Sequence, residues 1–352
     1  MLAHTRDDWE ELRGRRLFMT GGTGFFGAWL IETFLWANQK LDLGAEVLVL
    51  SRDPAAFLRK MPHLAGHRSL GFQAGSMGNF EFPAGEFSHV IHAATEHYDS
   101  QAAVDLLTAF DRDVQGTRRV LDFARGRGAK RILFTSSGAV YGRQPAELMH
   151  IPEDYPGSFS PTDTGSGYAQ AKRFSEFLCT LYSQAYGFDA MIARCFAFVG
   201  PYLPLDRNFA VGNFLRDALR GGPVVIEGDG TPHRSYLYAA DLAVWLWAIL
   251  FRGRSCRPYN VGSDQDVTIA GLARTVLNAV APSAELRILR AADPSLPMLR
   301  YVPETKRGYD ELGLRVNIAL QDGIGRTAAW HGGHSERAGA TVITGRLDPG
   351  IA

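Results

Sequence analysis

The strongest constraint on the fold is a glycine-rich turn, TGGTGFFG at residues 20–27, which lies between an apolar segment and a helical pattern. Leu17 to Thr20 form the apolar segment, and apolar residues recur at helical spacing from Gly24 to Asn38. Glycines at such a turn let the backbone bend tightly and approach a pyrophosphate, while the N–H groups at the helix start face its charge. The turn predicts a dinucleotide-binding unit; the alternative is a purely structural strand-to-helix turn.

Apolar strands and helical segments alternate over the first part of the chain. The further strands are expected at Val47 to Leu50, Val90 to Ala94, Arg131 to Thr135 and Ala190 to Phe196, and the long helices at 102–125 and 168–186. Continuous apolar runs are typical of strands that are buried on both faces of a parallel sheet. The pattern predicts an α/β fold, with a Rossmann-type doubly wound parallel sheet mainly within residues 1–200.

Frequent prolines indicate that the helices and strands become shorter after residue 200. We expect a smaller C-terminal lobe, mainly residues 201–330, from which single strands can return to the main sheet. Residues 331–352 have few large apolar side chains, and we expect them to form a flexible tail.

Charge and composition argue against several classes of protein. The 37 basic and 37 acidic residues balance, which disfavours binding to nucleic acid. The longest apolar run, Ala243 to Phe251, is far shorter than the roughly 20 residues that span a bilayer, so no membrane partner is expected. The charged N-terminus lacks the apolar region of a signal peptide, and 3 widely spaced cysteines fit a reducing compartment. We expect a cytoplasmic enzyme without a metal site, in which His63 and His67 are surface residues.

The end of the second strand bears on the choice between NAD and NADP. An acidic residue there would bind the ribose 2′-hydroxyl of NAD, but the sequence has Ser51, Arg52 and Asp53. Ser51 can donate to a 2′-phosphate and Arg52 can pair with it, which favours NADP. In the alternative interpretation Arg52 is solvated and Asp53 caps the next helix ahead of Pro54.

A tyrosine and a lysine share one face of a predicted helix in the motif YAQAK. Tyr168 and Lys172 are four positions apart, so the ammonium can stabilise the phenolate. This would lower the tyrosine pKa from about 10 toward the working pH and make Tyr168 a general acid/base. Upstream, FTSSGAVYG (134–142) ends a strand with two hydroxyls, one of which could hydrogen-bond a substrate oxygen.

A series of motifs covers roughly residues 15–330. In order they are TGGTGFFG, HAA (92–94), SSGAVYG (136–142), YAQAK (168–172), RCFAFVGP (194–201), GDGTPHRSYLYAADLA (228–243) and YNVGS (259–263). Together they resemble the extended short-chain dehydrogenase/reductases that act on nucleotide sugars. The resemblance implies that the sheet binds NAD(P) and that the C-terminal lobe binds a nucleoside-diphosphate sugar.

The resemblance also implies roles for individual residues. Tyr168 would be the base toward the sugar 4-hydroxyl, with Lys172 lowering its pKa and holding the nicotinamide ribose. Ser137 matches the catalytic serine or threonine, and Arg234 matches an arginine that grips the diphosphate. The remaining contacts expected are, for the cofactor, Gly21, Thr23, Gly24, Phe25, Phe26, Gly27, Ser76, Met77, Ala93, Ala94 and Thr95, and, for the substrate, Glu96, Asn213 and Arg300.

The chain departs from the family pattern at several of these positions. The 4,6-dehydratases carry an Asp-Glu pair directly after the catalytic threonine, where this chain has Gly138 and Ala139. An aspartate that contacts adenine after the third strand is replaced by Ser76. A second phosphate-binding arginine has Pro294 in its place, with Arg300 nearby.

We therefore expect an NAD(P)-dependent enzyme acting at C4 of a nucleotide sugar, as an epimerase or as a 4-ketoreductase. Two alternatives stay open: a dehydratase that uses other acids, from the loop 96–98, and a non-catalytic dinucleotide-binding regulator. The helices at 102–125 and 168–186 resemble those that pair as a four-helix bundle across the family dimer, so a homodimer is expected.

Overall fold

The computed structural model describes residues 5–95, 103–160, 162–207, 209–295 and 297–343. The strands are β1 (Arg16–Thr20), β2 (Glu46–Ser51), β3 (Leu70–Ala74), β4 (His89–His92), β5 (Arg131–Ser137), β6 (Asp189–Cys195), β7 (Phe198–Val199), β8 (Val224–Ile226), β9 (His233–Ser235), β10 (Leu237–Tyr238), β11 (Pro258–Val261), β12 (Asp266–Thr268), β13 (Leu286–Ile288) and β14 (Arg300–Tyr301). The α-helices are α1 (Phe25–Leu41), α2 (Pro54–Lys60), α3 (Ala103–Gly126), α4 (Gly167–Tyr186), α5 (Ala210–Leu219), α6 (Ala239–Arg252), α7 (Ile269–Val280), α8 (Lys306–Leu312) and α9 (Leu320–Ile343). Short 3-10 helices cover Asp7–Leu12, Pro62–Leu64, Gly138–Tyr141 and Thr164–Ser166.

Seven parallel strands form the central sheet in the order β11-β6-β5-β4-β1-β2-β3. Strand β1 pairs with β2 on one side and β4 on the other, so Leu17 lies opposite both Val47 and His89. The chain builds β2 and β3 on one side of β1 before it crosses to β4 on the other. Open α/β sheets bind ligands at such a switch point, at the carboxyl ends of the strands. This architecture confirms the predicted Rossmann-type fold.

Helices cover both faces of the sheet because the strand side chains alternate between two apolar clusters. In β1, Leu17 and Met19 belong to the cluster that includes α1 and α6, whereas Phe18 belongs to the cluster that includes α3 and α4. Trp247 of α6 packs against Trp9, with ring centroids 4.6 Å apart. Burial on both faces explains why these strands are continuously apolar in the sequence.

The chain after residue 200 forms several small sheets and also contributes to the main one. β8 pairs with β13, β9 lies between β12 and β14, and α5, α7 and α9 pack in a third apolar cluster. α6 and β11 return to the main sheet, where β11 pairs with β6. The last helix runs through residue 330, where the flexible tail was predicted to begin, and reaches Ile343.

Three further observations concern the described residues. None of their helices has both the length and the apolar character needed to cross a membrane. No group of three or more His, Cys, Asp or Glu side chains among them could hold a metal ion. His63 is exposed and contacts Glu32 at 2.6 Å, and the thiols of Cys179, Cys195 and Cys256 are free.

Candidate active site

Close backbone contacts hold the glycine-rich turn against the end of β4. Gly21 has a φ of +72°, and a Cβ at this position would lie 2.4 Å from the carbonyl carbon of Ala93. A Cβ at Gly27 would lie 2.2 Å from the Cα of Gly22, so α1 packs directly on the turn. A side chain at either position would displace the backbone, which explains why both residues are glycine.

The start of α1 is open to an anionic ligand. The helix begins at Phe25 after Gly24, and no side chain caps its first N–H groups. Thr23 and Gly24 are exposed, whereas the ring of Phe26 packs against Phe198 with centroids 5.0 Å apart. Uncapped N–H groups at a helix start attract phosphate. The residues at this turn therefore fit the pyrophosphate of a dinucleotide.

The end of β2, near this turn, carries an arginine side chain that is not paired with any described residue. Ser51 is buried and its Oγ accepts the Asp53 N–H at 3.3 Å. Asp53 caps α2 by accepting the Ala56 N–H at 2.8 Å, as the alternative interpretation of this segment predicted. Arg52 is exposed and makes no hydrogen bond or ion pair to any described residue. Its guanidinium is available to a ligand at the edge of the sheet.

Predicted cofactor contacts also line the ends of β3 and β4. Ser76 follows β3 and is partly buried, and Met77 is buried. Ala93 and Ala94 follow β4 and are partly buried. Thr95 is exposed at the same edge.

His92 ties together the elements that carry these contacts. Its Nδ1 lies 2.7 Å from Thr20 Oγ1, and its Nε2 lies 3.1 Å from Thr117 Oγ1. Thr117 in turn lies 3.1 Å from Ser175 Oγ on α4. Burial lowers the pKa of His92 to about 3, so the ring stays neutral and acts as a structural link between β1, β4 and α3.

Lys172 is almost completely enclosed beneath the end of β5. It is 4% exposed, and its Nζ donates to the carbonyl oxygen of Thr135 at 3.1 Å. The same atom lies 5.9 Å from the ring centroid of Tyr168, one helical turn earlier. Burial lowers the pKa of Lys172, and the carboxylate of Asp113 opposes this effect.

Tyr168 and Ser137 meet where β5 ends and α4 begins. The Ser137 hydroxyl accepts the Ala139 N–H at 3.1 Å. Burial raises the pKa of Tyr168 to about 12, and the nearby Ser137 hydroxyl opposes the rise. The expected lowering of this pKa by Lys172 is not seen, because desolvation outweighs an ammonium that is bonded to the backbone instead.

Tyr301 is a residue of this group that the sequence analysis missed. A Cβ at Gly138 would lie 2.7 Å from its phenol oxygen. Burial raises the pKa of Tyr301 above its usual range, and the nearby Ser137 hydroxyl opposes the rise. Its ring packs against Phe196 with centroids 4.7 Å apart, and the guanidinium of Arg234 lies 5.8 Å from its centroid. β14 pairs with β9 in the register that sets Tyr301 opposite Arg234. Arg234 therefore lies next to Tyr301, and the Tyr301 hydroxyl lies close to Gly138, the residue that follows Ser137.

Arg300 lies on the other face of the small sheet. Its Nη1 donates to Asp266 Oδ2 at 2.9 Å, and the same oxygen lies 2.5 Å from His233 Nδ1. Neighbouring residues of a strand point to opposite faces, so Arg300 and Tyr301 are directed apart. No signal in the sequence identifies Tyr301, because a strand of two residues has no readable period.

The other predicted substrate contacts are not part of the group around Ser137. Asn213 lies on α5, where its Oδ1 accepts from Arg216 Nη1 at 3.2 Å. Glu96 lies outside the described residues, together with His97 and Tyr98.

A buried ion pair supports the floor of the site behind Ser137. Arg194 on β6 bonds Glu176 on α4, with Nη2 2.8 Å from Oε2. Glu176 also accepts the hydroxyl of Ser136 at 2.5 Å, and Arg194 donates to the phenol oxygen of Tyr141 at 2.9 Å. This network fixes the end of β5 against α4, which sets the spacing between Ser137 and Tyr168.

Comparison with known proteins identifies the family. The sequence model of the NAD dependent epimerase/dehydratase family matches residues 17–262, more than half of the chain. The chain belongs to this family. The match confirms the resemblance recognised in the sequence, and it spans the glycine-rich turn, Ser137, Tyr168, Lys172 and Arg234.

Relatives of this family member have several activities. UDP-glucuronic acid decarboxylase 3 of Arabidopsis thaliana is 29% identical over 310 residues, covering 88% of this chain and 86% of the relative. The dTDP-glucose 4,6-dehydratase DesIV of Streptomyces venezuelae, solved with NAD and TYD bound, is 26% identical with a TM-score of 0.75, covering 92% of this chain and 98% of that chain. The UDP-glucose 4-epimerase of Thermotoga maritima, solved with UDP-glucose, shares the fold at 19% identity with a TM-score of 0.76, covering 91% and 99%.

Proposed function

We propose that this protein transfers a hydride reversibly between C4 of a nucleoside-diphosphate sugar and a nicotinamide dinucleotide, and that it works as an epimerase or a 4-ketoreductase. The observation that carries the proposal is the group of Ser137, Tyr168 and Lys172 at the carboxyl end of β5, next to the glycine-rich turn. A regulator that only binds a dinucleotide has no need of this acid/base group.

The proposed chemistry divides between cofactor and protein. An oxidised dinucleotide held at the glycine-rich turn would supply the hydride acceptor for C4. Tyr168 takes the proton of the 4-hydroxyl in the oxidising direction and returns it in the reducing direction. Ser137 donates to the same oxygen while negative charge develops on it. Lys172 supplies a buried positive charge near the phenolate and is available to the ribose hydroxyls.

Net epimerisation or reduction fits the site better than dehydration. Loss of a hydroxyl from C6 needs an acid and a base beside C5 and C6, but Gly138 and Ala139 offer no titratable group. Tyr301 and Phe196 fill the space that a side chain at Gly138 would need, with contacts of 2.7 Å. Arg234 lies opposite Tyr301 on the neighbouring strand, and we propose that its guanidinium binds the substrate diphosphate.

A second candidate is decarboxylation of a sugar uronate, which the activity named for the Arabidopsis relative favours. A 4-keto uronate is a β-keto acid, so oxidation at C4 alone prepares it to lose carbon dioxide. The same Tyr168 and Ser137 would serve this reaction, which differs from epimerisation only in the step after the oxidation at C4.

We also propose NADP as the preferred cofactor and a homodimer as the working form. Arg52 is exposed and there is no carboxylate in its place to bind the ribose 2′-hydroxyl. Helices α3 and α4 expose large apolar side chains in a stripe made of Val104, Leu107, Phe174, Phe177, Leu181 and Tyr186, with exposures from 41% to 76%. A second copy of the chain that covers this stripe would form a four-helix contact.

Product analysis tests the proposed function. UDP-glucose, UDP-galactose and UDP-glucuronic acid are incubated separately with the protein and with NAD or NADP, and a 4-keto nucleotide sugar is incubated with the protein and NADPH. The products are identified by mass and by NMR of the sugar. We expect a C4 epimer, or a 4-hydroxyl sugar formed from a 4-keto substrate at the expense of NADPH. Carbon dioxide released from UDP-glucuronic acid would favour the second candidate. A 4-keto-6-deoxy sugar would contradict the argument from Gly138 and Ala139.

A further inference from the structure

The YNVGS motif at residues 259–263 has no part in the proposed chemistry, yet its asparagine lies where three segments of the chain meet. Asn260 is on β11 and is 0% exposed. Its Nδ2 donates to the carbonyl oxygen of Ile151 at 2.8 Å and to that of Glu304 at 3.0 Å. Its Oδ1 accepts the phenol proton of Tyr141 at 2.7 Å. Both hydrogens and the oxygen of the amide are therefore used.

The two carbonyl groups determine which way the amide is oriented. A carbonyl oxygen only accepts, so the NH₂ group has to face Ile151 and Glu304, and the amide oxygen has to face Tyr141. Tyr141 therefore donates its proton to Asn260, and its phenol oxygen accepts from Arg194 Nη1 at 2.9 Å. The amide thus fixes the direction of every hydrogen bond between the carbonyl groups and Arg194.

One branch of these bonds leads from Asn260 to the proposed acid/base group. Arg194 is ion-paired with Glu176, and Glu176 Oε1 accepts the hydroxyl of Ser136 at 2.5 Å. Ser136 directly precedes Ser137 on β5, and Glu176 lies on α4, the helix that carries the proposed base. The amide is therefore connected to both elements that hold the acid/base group.

The other branch leads to the strands around the proposed diphosphate contact. Glu304 follows β14, in which Tyr301 lies opposite Arg234 of β9. The Ile151 N–H donates to the Val302 carbonyl oxygen, and the Glu304 N–H donates to the Ile151 carbonyl oxygen, each at 2.9 Å. The buried amide completes this junction from β11. It therefore joins the strands of the diphosphate contact to the end of β5.

We propose that Asn260 is a positioning residue that sets the distance between the acid/base group and Arg234, and so places C4 of a sugar whose diphosphate is held by Arg234. This inference rests on the proposed function, because it takes Tyr168 as the base and Arg234 as the diphosphate contact. A sugar anchored by its diphosphate reaches the base only if this distance is correct. An error of about 1 Å can lower the rate about 100-fold, even when its cause lies far from the reacting atoms.

The test compares the rate of hydride transfer with ligand binding in full-length variants. Asn260→Ser removes both amide donors. Tyr141→Phe removes one oxygen and cuts only the branch toward Arg194, whose Nη1 still donates to the Glu153 carbonyl oxygen at 3.0 Å. Single turnovers use oxidised dinucleotide and a saturating amount of the nucleotide sugar that product analysis identifies, and the rate is expressed per dinucleotide bound.

We expect the rate of hydride transfer to fall about tenfold in Tyr141→Phe and further in Asn260→Ser. The Kd for the dinucleotide and the Kd for the sugar-free nucleoside diphosphate of the same base should stay at their wild-type values. A residue that only stabilises the fold would change the melting temperature and leave the rate per bound dinucleotide unchanged.

Two further variants serve as controls. Tyr259→Phe is matched to Tyr141→Phe, because Tyr259 is the buried neighbour of Asn260 on β11 and its phenol donates to Glu311 Oε2 at 2.8 Å instead. We expect Tyr259→Phe to transfer hydride at the wild-type rate. The double variant Tyr141→Phe/Asn260→Ser should be no slower than Asn260→Ser, because the bond between the two residues is already lost there.

The other outcomes separate the inference from the proposed function. An unchanged rate in Tyr141→Phe, an equal loss in Tyr259→Phe or fully additive losses in the double variant overturn the inference and leave the proposed function standing. Weaker binding of the nucleoside diphosphate in step with the slower rate also overturns it, because the defect then lies in the diphosphate site itself. If Asn260→Ser does not fold, the comparison of Tyr141→Phe with Tyr259→Phe decides. Absence of hydride transfer from every nucleotide sugar in the wild type overturns the proposed function and the inference with it.

Discussion

The phenol oxygen of Tyr168 is the atom on which the proposed acid/base step depends, and Tyr168→Phe removes it alone. The ring keeps its place at the start of α4, and only the contacts of the phenol oxygen are lost. A hydrogen bond contributes about 1 kcal/mol to stability, so the variant is expected to fold. A general acid/base group contributes about 10²–10⁴-fold to the rate, which corresponds to about 3 to 5 kcal/mol of activation free energy. The loss of turnover should therefore far exceed the loss of stability.

The rates of oxidation and of reduction at C4 should depend on pH in opposite directions. Burial raises the pKa of Tyr168 to about 12 in the protein without ligands, so the phenol is protonated near neutral pH. Oxidation of the sugar needs the phenolate, so its rate should increase with pH up to the apparent pKa of the cofactor-bound form. Reduction of a 4-keto sugar needs the protonated phenol and should decline over the same range. Tyr168→Phe should flatten both profiles.

The assay is a single turnover in which the substrate identified by product analysis is mixed with excess protein that holds oxidised dinucleotide. The absorbance of the reduced nicotinamide reports the oxidation at C4 directly, without a contribution from product release. Near wild-type turnover in Tyr168→Phe, or an unchanged pH profile, would refute the assignment of the base. The acid/base group would then have to be sought in the loop 96–98.

Three further changes test separate parts of the site. Lys172→Met should lower kcat and also weaken dinucleotide binding, measured by titration calorimetry; loss of only one of these would contradict a shared role for the ammonium. Arg52→Glu should weaken NADP binding about tenfold or more and spare NAD, because a carboxylate repels a 2′-phosphate but accepts from a 2′-hydroxyl; tighter binding of NAD than of NADP by the wild type would show that the preference is assigned wrongly. Phe177→Asp, on the exposed stripe of α4, should give a monomeric mass in light scattering, and a monomeric wild type would rule out the proposed dimer.

Local features of the fold and site could be predicted because helices, strands and turns require particular residues at fixed spacings, which are visible in the sequence. The alternation of strands and helices predicted the parallel sheet, and the glycine spacing predicted the turn in which Gly21 lies against Ala93. The four-residue spacing of Tyr168 and Lys172 fixed their common helix face. Each of these depends on residues within one or two turns of chain, and so the tertiary structure changed none of them.

Contacts between distant segments were decided only by the tertiary structure. The direction of Tyr301 toward Ser137, and of Arg300 toward Asp266, depends on which face of a two-residue strand meets the cleft, and so short a strand has no readable period. The pKa of Tyr168 is likewise a property of the assembled site. The sequence shows that a lysine is near, but only packing determines how much water is excluded and that the ammonium bonds the Thr135 carbonyl. Desolvation is a sum over all neighbouring atoms, and most of those neighbours are far away in the sequence.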